Sequence, residues 1–310
     1  MTQQERDALI RHLFETRPGP QTPWAAPAAY APWIAATTVE PRTLSTRAGD
    51  TPVWLVSAKA RPRPSAVFVN IHGGGFIAPH MERDIAFSQR LAAELGILVV
   101  DISYRTAGEA AFPVACHEAY DCVQWVYAHA AELGADPARL MVGGHSAGAN
   151  LTAGICLQAR QSHAFQPALQ VLDYPPLDLF TDPAAKPDAD KTLIPPDRAR
   201  SFNLLYLGSE AAARDPLASP VLTPPALLAG QPEAVVITAG HDNLRFEGER
   251  YAAQLAAAGV PVHVRRFTRS GHGFVIACQD EYDAAIAFME EAMRAVIARG
   301  ALPPAELPRA

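Results

Sequence analysis

The chain has 310 residues, of which 49% are hydrophobic and 19% charged, and its formal net charge at pH 7 is −6. This composition is typical of a globular protein with a large apolar core and argues against a disordered chain. The negative charge argues against nucleic acid or an anionic membrane surface as a partner, and no apolar run has membrane-spanning length.

The first 45 residues do not resemble the start of a sheet. A short helix is predicted over Gln3 to Glu15, and a Pro-rich segment with Trp24, Tyr30 and Trp33 follows it. The charged, amphipathic start has no signal-peptide core. Three large aromatic residues between prolines predict a segment that packs over another part of the protein. The alternative is a loosely ordered arm.

From residue 42 onward, strand and helix patterns alternate. A hairpin of strands 42–47 and 53–57 is predicted around the turn signal Gly49-Asp50. Apolar runs then predict buried strands over 66–72, 97–102, 140–142, 168–174, 233–238 and 262–267. Helices are predicted over 84–95, 113–133, 149–159, 245–258 and 280–298. This alternation predicts an α/β fold with a doubly wound, mostly parallel central sheet flanked by helices.

The alternation breaks once, between Tyr174 and Glu233, where prolines surround one helical piece, Asp197 to Leu207. A stretch this long is more typical of a functional segment than of a plain loop. We therefore expect residues 1–45 and 176–214 to form a helical cap over the C-terminal ends of the strands. Residues 46–175 and 215–310 would form the two parts of the core, so that the cap insertion follows the sixth strand.

The cysteines give no sign of a metal or redox site. Cys116, Cys122, Cys156 and Cys278 lie in or beside predicted helices and lack the spacing of metal ligands or redox pairs. They predict reduced thiols, mostly packed in the core, of a cytoplasmic protein.

The segment 144–148 reads Gly-His-Ser-Ala-Gly, which matches the G-x-S-x-G pattern of a nucleophile elbow. Such a turn holds its serine, here Ser146, in a strained conformation between a strand and a helix. The motif alone is weak, since a Gly-rich turn also satisfies it. The strand pattern before it and the helix pattern after it favour the elbow.

Three successive glycines follow the strand over 66–72, in the run His-Gly-Gly-Gly-Phe at 72–76. Bare backbone there can aim N–H donors at one point. Gly74 and Gly75, together with Ala147 after the serine, are predicted to supply an oxyanion hole. A tight Gly-rich turn or a phosphate cradle is the weaker alternative, because no Walker-type Lys-Ser/Thr follows and the G-x-G-x-x-G spacing is absent.

A base and an acid are expected late in the chain, in the order Ser…Asp…His. His272 lies in a Gly-flanked loop between the last strand and the last helix, and it is the candidate base. Asp242 follows the preceding strand and is the candidate acid, although an aspartate before a helix is also a common N-cap. Asp215 and Glu247 are weaker alternatives for the acid. His145 is interpreted as shaping the turn.

Seven motifs together resemble those of the hormone-sensitive-lipase-like esterases (bacterial esterase family IV) of the α/β-hydrolase superfamily. They are HGGGF at 72–76, DISYR at 101–105, GHSAGANL at 144–151, DPLASP at 215–220, ITAGHD at 237–242, GVPV at 259–262 and GHGF at 271–274. The resemblance implies a two-part helical cap, no cofactor, and hydrolysis of short- to medium-chain carboxylic esters. It assigns Ser146, Asp242 and His272 to a catalytic triad.

The chain departs from the pattern of this family at several positions. Thr-Ala-Gly-Glu at 106–109 replaces the usual L-A-P-E, and Asp-Asn-Leu-Arg-Phe-Glu-Gly at 242–248 replaces D-P-L-R-D-E-G. His145 stands where acidic residues are common, and Ala149 where a glycine is usual. None of these departures removes a catalytic group, but they bear on substrate preference.

The functional hypothesis is therefore a serine carboxylesterase that works through an acyl-enzyme. An arylformamidase-like amide hydrolase is the alternative within the same fold, and a non-catalytic small-molecule receptor is the alternative of a different class. The expected partner is a small-molecule ester, with a homodimer possible. Position in the chain nominates five residues for the substrate pocket: Phe76, Trp33, Phe202, Tyr206 and Leu207.

Overall fold

The computed structural model describes residues 1–17 and 24–299, and an eight-stranded sheet forms the centre of this part. The strands are β1 (Thr37–Thr46), β2 (Gly49–Ala58), β3 (Ser65–Ile71), β4 (Leu98–Ile102), β5 (Ala135–His145), β6 (Leu169–Asp173), β7 (Glu233–His241) and β8 (Val262–Gly271). Their order is β1-β2-β4-β3-β5-β6-β7-β8. β2 pairs antiparallel with both of its neighbours, and all other pairs are parallel. The predicted α/β fold is confirmed.

Eleven α-helices accompany the strands in the described ranges. They are α1 (Gln3–Glu15), α2 (Ala31–Ala36), α3 (Glu82–Leu95), α4 (Val114–Ala128), α5 (Ala147–Ser162), α6 (Pro196–Leu207), α7 (Glu210–Ala213), α8 (Pro225–Leu228), α9 (Arg245–Ala257), α10 (Phe274–Ala277) and α11 (Tyr282–Ala298). None of the helices in this part of the chain is long and apolar enough to span a membrane.

Both faces of the central sheet are covered, since β3, β4 and β6 are buried along their whole length. Residues of α4 and α5 pack on one face of the sheet, and residues of α3 and α11 pack on the other. Burial of both faces is what makes these strands continuous apolar runs in the sequence.

Several predicted boundaries are wrong, including the starts of β2 and β5, and two of them have a clear physical reason. The first strand begins at Thr37 and not at residue 42, because it is an edge strand with only two buried residues and gives little hydrophobic pattern. It also contains residues 37–45, which the sequence had assigned to the cap. The helix predicted to run to Leu133 ends at Ala128, and the chain then turns through Gly134, whose φ is 63°, into β5.

The N-terminal helix contacts the segment inserted after β6. Arg6 Nη1 donates a hydrogen bond to the carbonyl of Leu205 at 3.0 Å, and Arg198 Nη2 donates to the carbonyl of Leu13 at 2.8 Å. These two contacts join α1 to α6. The division of the chain into a two-part cap and a two-part core stays a prediction.

Candidate active site

The nucleophile elbow connects β5 to α5. Ser146 has φ 52° and ψ −117°, a left-handed conformation that is strained for a residue with a side chain. Its N–H donates to the carbonyl of Asp173 at 2.9 Å. Gly148 must lack a side chain, because a Cβ there would come within 2.0 Å of the carbonyl oxygen of Ile71. The turn therefore places the Ser146 hydroxyl at the N-terminal end of α5.

Three residues that are far apart in the sequence meet at this turn. Ser146 Oγ lies 2.9 Å from His272 Nε2, and His272 Nδ1 lies 2.7 Å from Asp242 Oδ2. Asp242 is fully buried and His272 is mostly buried. A hydroxyl, an imidazole and a buried carboxylate in this order have the geometry of a serine-hydrolase triad.

The other carboxylates considered for the acid are used elsewhere. Asp215 Oδ1 accepts a hydrogen bond from the N–H of Leu217 at 2.9 Å. Glu247 is buried and forms an ion pair of 2.5 Å with Lys186. The Asp242 side chain also accepts from the N–H of Leu244 at 3.2 Å, so its second oxygen has a partner in the loop.

The glycine loop turns toward the serine. Gly74 and Gly75 have φ values of 110° and 62°, which favour glycine. In the described part of the chain, no hydrogen bond uses the backbone N–H of Gly74, Gly75 or Ala147. The Tyr104 hydroxyl donates to the carbonyl of His72 at 3.1 Å and fixes the start of the loop. The three predicted donors are therefore free to bind an oxyanion.

A cavity of about 1080 Å³ opens beside Ser146 and His272. Its wall comes from the glycine loop, the first turn of α3, α6 and the N-terminal segment. Phe76 and Phe202, two of the predicted pocket residues, line it. Residues that the sequence reasoning missed also line it: Phe14, Arg17, Trp24, Arg83, Asp84, Tyr174, Leu193 and Arg198.

The other three predicted pocket residues do not line this cavity, which corrects that part of the prediction. Tyr206 is buried behind Phe76, with the two rings stacked at 3.7 Å between centroids. Leu207 is also buried and borders a separate groove of about 330 Å³. Trp33 packs against the guanidinium of Arg90 at 4.5 Å. Tertiary packing sets these orientations, and position in the sequence does not reveal them.

A second imidazole–carboxylate pair lies beside the nucleophile. His145 Nδ1 is 2.7 Å from Asp173 Oδ2, and both side chains are buried. Burial raises the pKa of Asp173. The next residue, Tyr174, sets its ring edge-on to that of His272 at 5.0 Å. At the end of β6, Asp173 thus contacts His145 of the nucleophile turn and Tyr174 contacts His272. The one sequence signal for this was the Asp-Tyr-Pro run that ends the strand.

No group of three or more His, Cys, Asp or Glu side chains that could hold a metal ion occurs within residues 1–17 and 24–299. The site brings together a serine hydroxyl, an imidazole, a buried carboxylate and backbone N–H groups that have no hydrogen-bond partner among the described residues.

Comparison with known proteins finds a matching fold family and similar esterases. A family profile described as the alpha/beta hydrolase fold matches residues 68–276. Esterase LipI of Mycobacterium tuberculosis is 33% identical over 211 residues, which are 67% of this chain and 65% of LipI. The hormone-sensitive lipase of Homo sapiens is 34% identical over 135 residues, 44% of this chain and 12% of that protein.

A solved structure, that of a bacterial heroin esterase, is similar over almost the entire chain. It superposes with a TM-score of 0.79 at 28% sequence identity, covering 95% of this chain and 90% of that one. The likeness therefore extends beyond the segment that the family profile matches.

Proposed function

The chain belongs to the alpha/beta hydrolase fold family and, within it, to the hormone-sensitive-lipase-like esterases, and on that premise we propose that it is a serine carboxylesterase. The observation that carries this proposal is the chain of two hydrogen bonds, 2.9 Å and 2.7 Å long, that joins Ser146, His272 and Asp242.

In the first half of the reaction, His272 Nε2 takes the proton of Ser146 while Oγ attacks the ester carbonyl. The carbonyl oxygen gains the negative charge, which the amides of Gly74, Gly75 and Ala147 bind. One such donor typically contributes about a hundred- to thousand-fold in rate. His272 then gives its proton to the alkoxide that leaves, and Ser146 remains acylated.

In the second half, water takes the place of the alcohol. His272 accepts a proton from the water as its oxygen attacks the acyl carbonyl, and the same amides bind the oxyanion. Collapse of the intermediate returns the proton to Ser146 Oγ and releases the acid. Asp242 holds the Nδ1–H tautomer of His272 and stabilises the imidazolium that forms twice in each cycle.

The proposal includes the substrate size and the cap. A partly open cavity with Phe14, Trp24 and Phe202 in its wall suits a short- to medium-chain acyl group. α1 and α6, which the Arg6 and Arg198 hydrogen bonds join, would cover this cavity as the two parts of the cap.

The test is hydrolysis of p-nitrophenyl acetate and butyrate by the wild-type protein and by Ser146→Ala. We expect the variant to lose at least about three orders of magnitude in kcat. Ser162→Ala, on an exposed position of the same helix, is the matched control and should retain activity. A serine-directed organophosphate should add one adduct, at Ser146 by peptide mass spectrometry.

Three results would overturn the proposal. They are normal turnover by Ser146→Ala, labelling of another residue, and faster turnover of N-formylkynurenine than of both p-nitrophenyl esters. The last would favour the arylformamidase alternative.

A further inference from the structure

One arginine in the wall of the active-site cavity has no hydrogen bond or ion pair with the described residues. Arg83 lies in the first turn of α3 and lines the cavity. Its Nε is buried without a hydrogen-bond partner. No ion pair within residues 1–17 and 24–299 involves its guanidinium. A half-buried arginine normally binds a carboxylate or carbonyl, so this side chain has donors to offer to a ligand.

The position of Arg83 makes the missing partner costly. A cation at the N-terminus of a helix faces the positive end of the helix dipole, which destabilises it. The charge of the neighbouring Asp84 acts on Arg83, but no hydrogen bond joins the two side chains, and Asp84 Oδ2 accepts instead from the N–H of Met81 at 2.8 Å. Burial and the charge of Asp101 also raise the pKa of Asp84 to about 6. An anion bound at Arg83 would remove the unfavourable interaction.

A second guanidinium, that of Arg198 on α6, lines the cavity from the side of the insertion. It lies 5.1 Å from the ring of Phe202, and that ring packs so closely on Gly75 that a Cβ there would be 2.8 Å from it. The ring of Phe202 thus contacts both the Arg198 guanidinium and the glycine loop at Gly75. Its single hydrogen bond to protein, within the described residues, goes to the carbonyl of Leu13. Burial, followed by the nearby charge of Arg17, lowers its pKa.

Two further charged residues of the wall, Lys186 and Glu82, form no ion pair with these cations within the described residues. Lys186 is paired with the buried Glu247, so the two cancel. Glu82 is exposed to solvent, where its charge is screened. Within the described residues, neither Arg83 nor Arg198 forms an ion pair with a carboxylate of the wall, and Arg83 Nε has no hydrogen-bond partner. The wall of the cavity therefore offers two guanidiniums that no carboxylate of the described chain binds by a hydrogen bond.

We propose that this cavity selects esters that carry a carboxylate group, and that Arg83 is the residue that binds this carboxylate. A guanidinium binds a carboxylate with two parallel hydrogen bonds, which few other side chains can do. The inference rests on the proposed esterase function and names the substrate class of that same site. Arg198 adds to the positive potential of the cavity without being the contact.

The test compares charged and neutral substrates of equal size. On the acyl side the pair is mono-p-nitrophenyl adipate and p-nitrophenyl methyl adipate, and on the alcohol side it is 4-acetoxybenzoate and 4-acetoxybenzamide. We expect kcat/KM to favour the charged member of at least one pair by about tenfold or more, as is typical of a charge-assisted hydrogen bond. Arg83→Gln should reduce this ratio by the same factor, mainly through KM, and Arg83→Lys should retain part of it.

Arg42→Gln is the control, since Arg42 lies on β1, is exposed and does not line the cavity. It should leave the ratio as in the wild type. The proposal fails if the wild type prefers neither charged substrate, or if Arg83→Gln keeps the preference. Loss of the preference in Arg198→Gln alone would also refute the assignment to Arg83.

A binding measurement separates this proposal from that of esterase function. Adipate should bind the wild-type protein, measured by calorimetry, and its binding should weaken with added salt and disappear in Arg83→Gln. If the protein hydrolyses no ester but adipate binds in this way, the esterase proposal fails and the anion site stands. If esters are hydrolysed but adipate does not bind, the anion site fails alone.

Discussion

A carboxylate pair between α3 and α11 should make stability depend on pH in a defined direction. Glu290 on α11 is buried, and its Oε1 has no hydrogen-bond partner among the described residues. Burial first, and then the charge of Glu94, raise the pKa of Glu290 to about 8 from its ordinary 4.5. Arg294 Nη2, 3.2 Å from Glu290 Oε2, offsets only part of this effect because its side chain is largely exposed.

The direction in which stability changes with pH follows from proton binding. Between pH 4.5 and about 8 the folded protein keeps a proton on Glu290 that the unfolded chain loses, so stability falls as pH rises through this interval. At about 1.4 kcal/mol per pH unit, the interval sets an upper bound of about 5 kcal/mol. Solvent and Arg294 screen the charge, so we expect a penalty of about 1 to 2 kcal/mol above pH 8.

Glu290→Gln should remove this penalty, because the amide is neutral at every pH. The variant should melt about 1.5 to 3 °C higher than the wild type at pH 9 and at nearly the same temperature at pH 4.5, by scanning fluorimetry. Glu291→Gln, one residue further and exposed, is the matched control. A difference from the wild type that is constant with pH, or an equal gain in Glu291→Gln, would refute the reasoning.

Two further predictions concern the site and the thiols. Asp242→Asn should lower kcat for p-nitrophenyl butyrate by about four orders of magnitude with little change in KM, because His272 would adopt the wrong tautomer. A loss of less than tenfold in steady-state kinetics would exclude Asp242 as the acid. Burial raises the pKa of Cys116 and of Cys122 to about 12, so both thiols should resist dithionitrobenzoate at pH 8 until the protein unfolds. Rapid labelling of either thiol in the folded protein would contradict the described packing.

The sequence predicted the parts of the molecule that local rules determine. Buried parallel strands are recognisable as apolar runs, and a nucleophile elbow requires glycine at positions such as Gly148, so both leave a one-dimensional trace. The candidate triad followed from the order of these elements. Ser146 and His272 lie at the ends of strands that the hydrophobic pattern had already located.

The remaining features depend on tertiary packing. Phe202 and Tyr206 are four residues apart on α6, yet Phe202 lines the cavity and Tyr206 lies behind Phe76, because the tilt of α6 decides which side chain is covered. In the sequence, Arg83 looks like any surface arginine, since a missing partner is visible only in three dimensions. The early start of β1 was missed because an exposed edge strand has little hydrophobic alternation.

The wall of the cavity and the proposed catalytic residues come from different parts of the chain. Phe14, Arg17 and Trp24 contribute to the wall of the cavity, and all three precede the first strand of the sheet. The proposed nucleophile, base and acid follow later strands whose pairing does not involve this N-terminal segment. Exchange of the residues before β1 can therefore reshape the cavity while the reacting groups keep their mutual distances. Selectivity and catalytic power are in this sense separately adjustable by mutation.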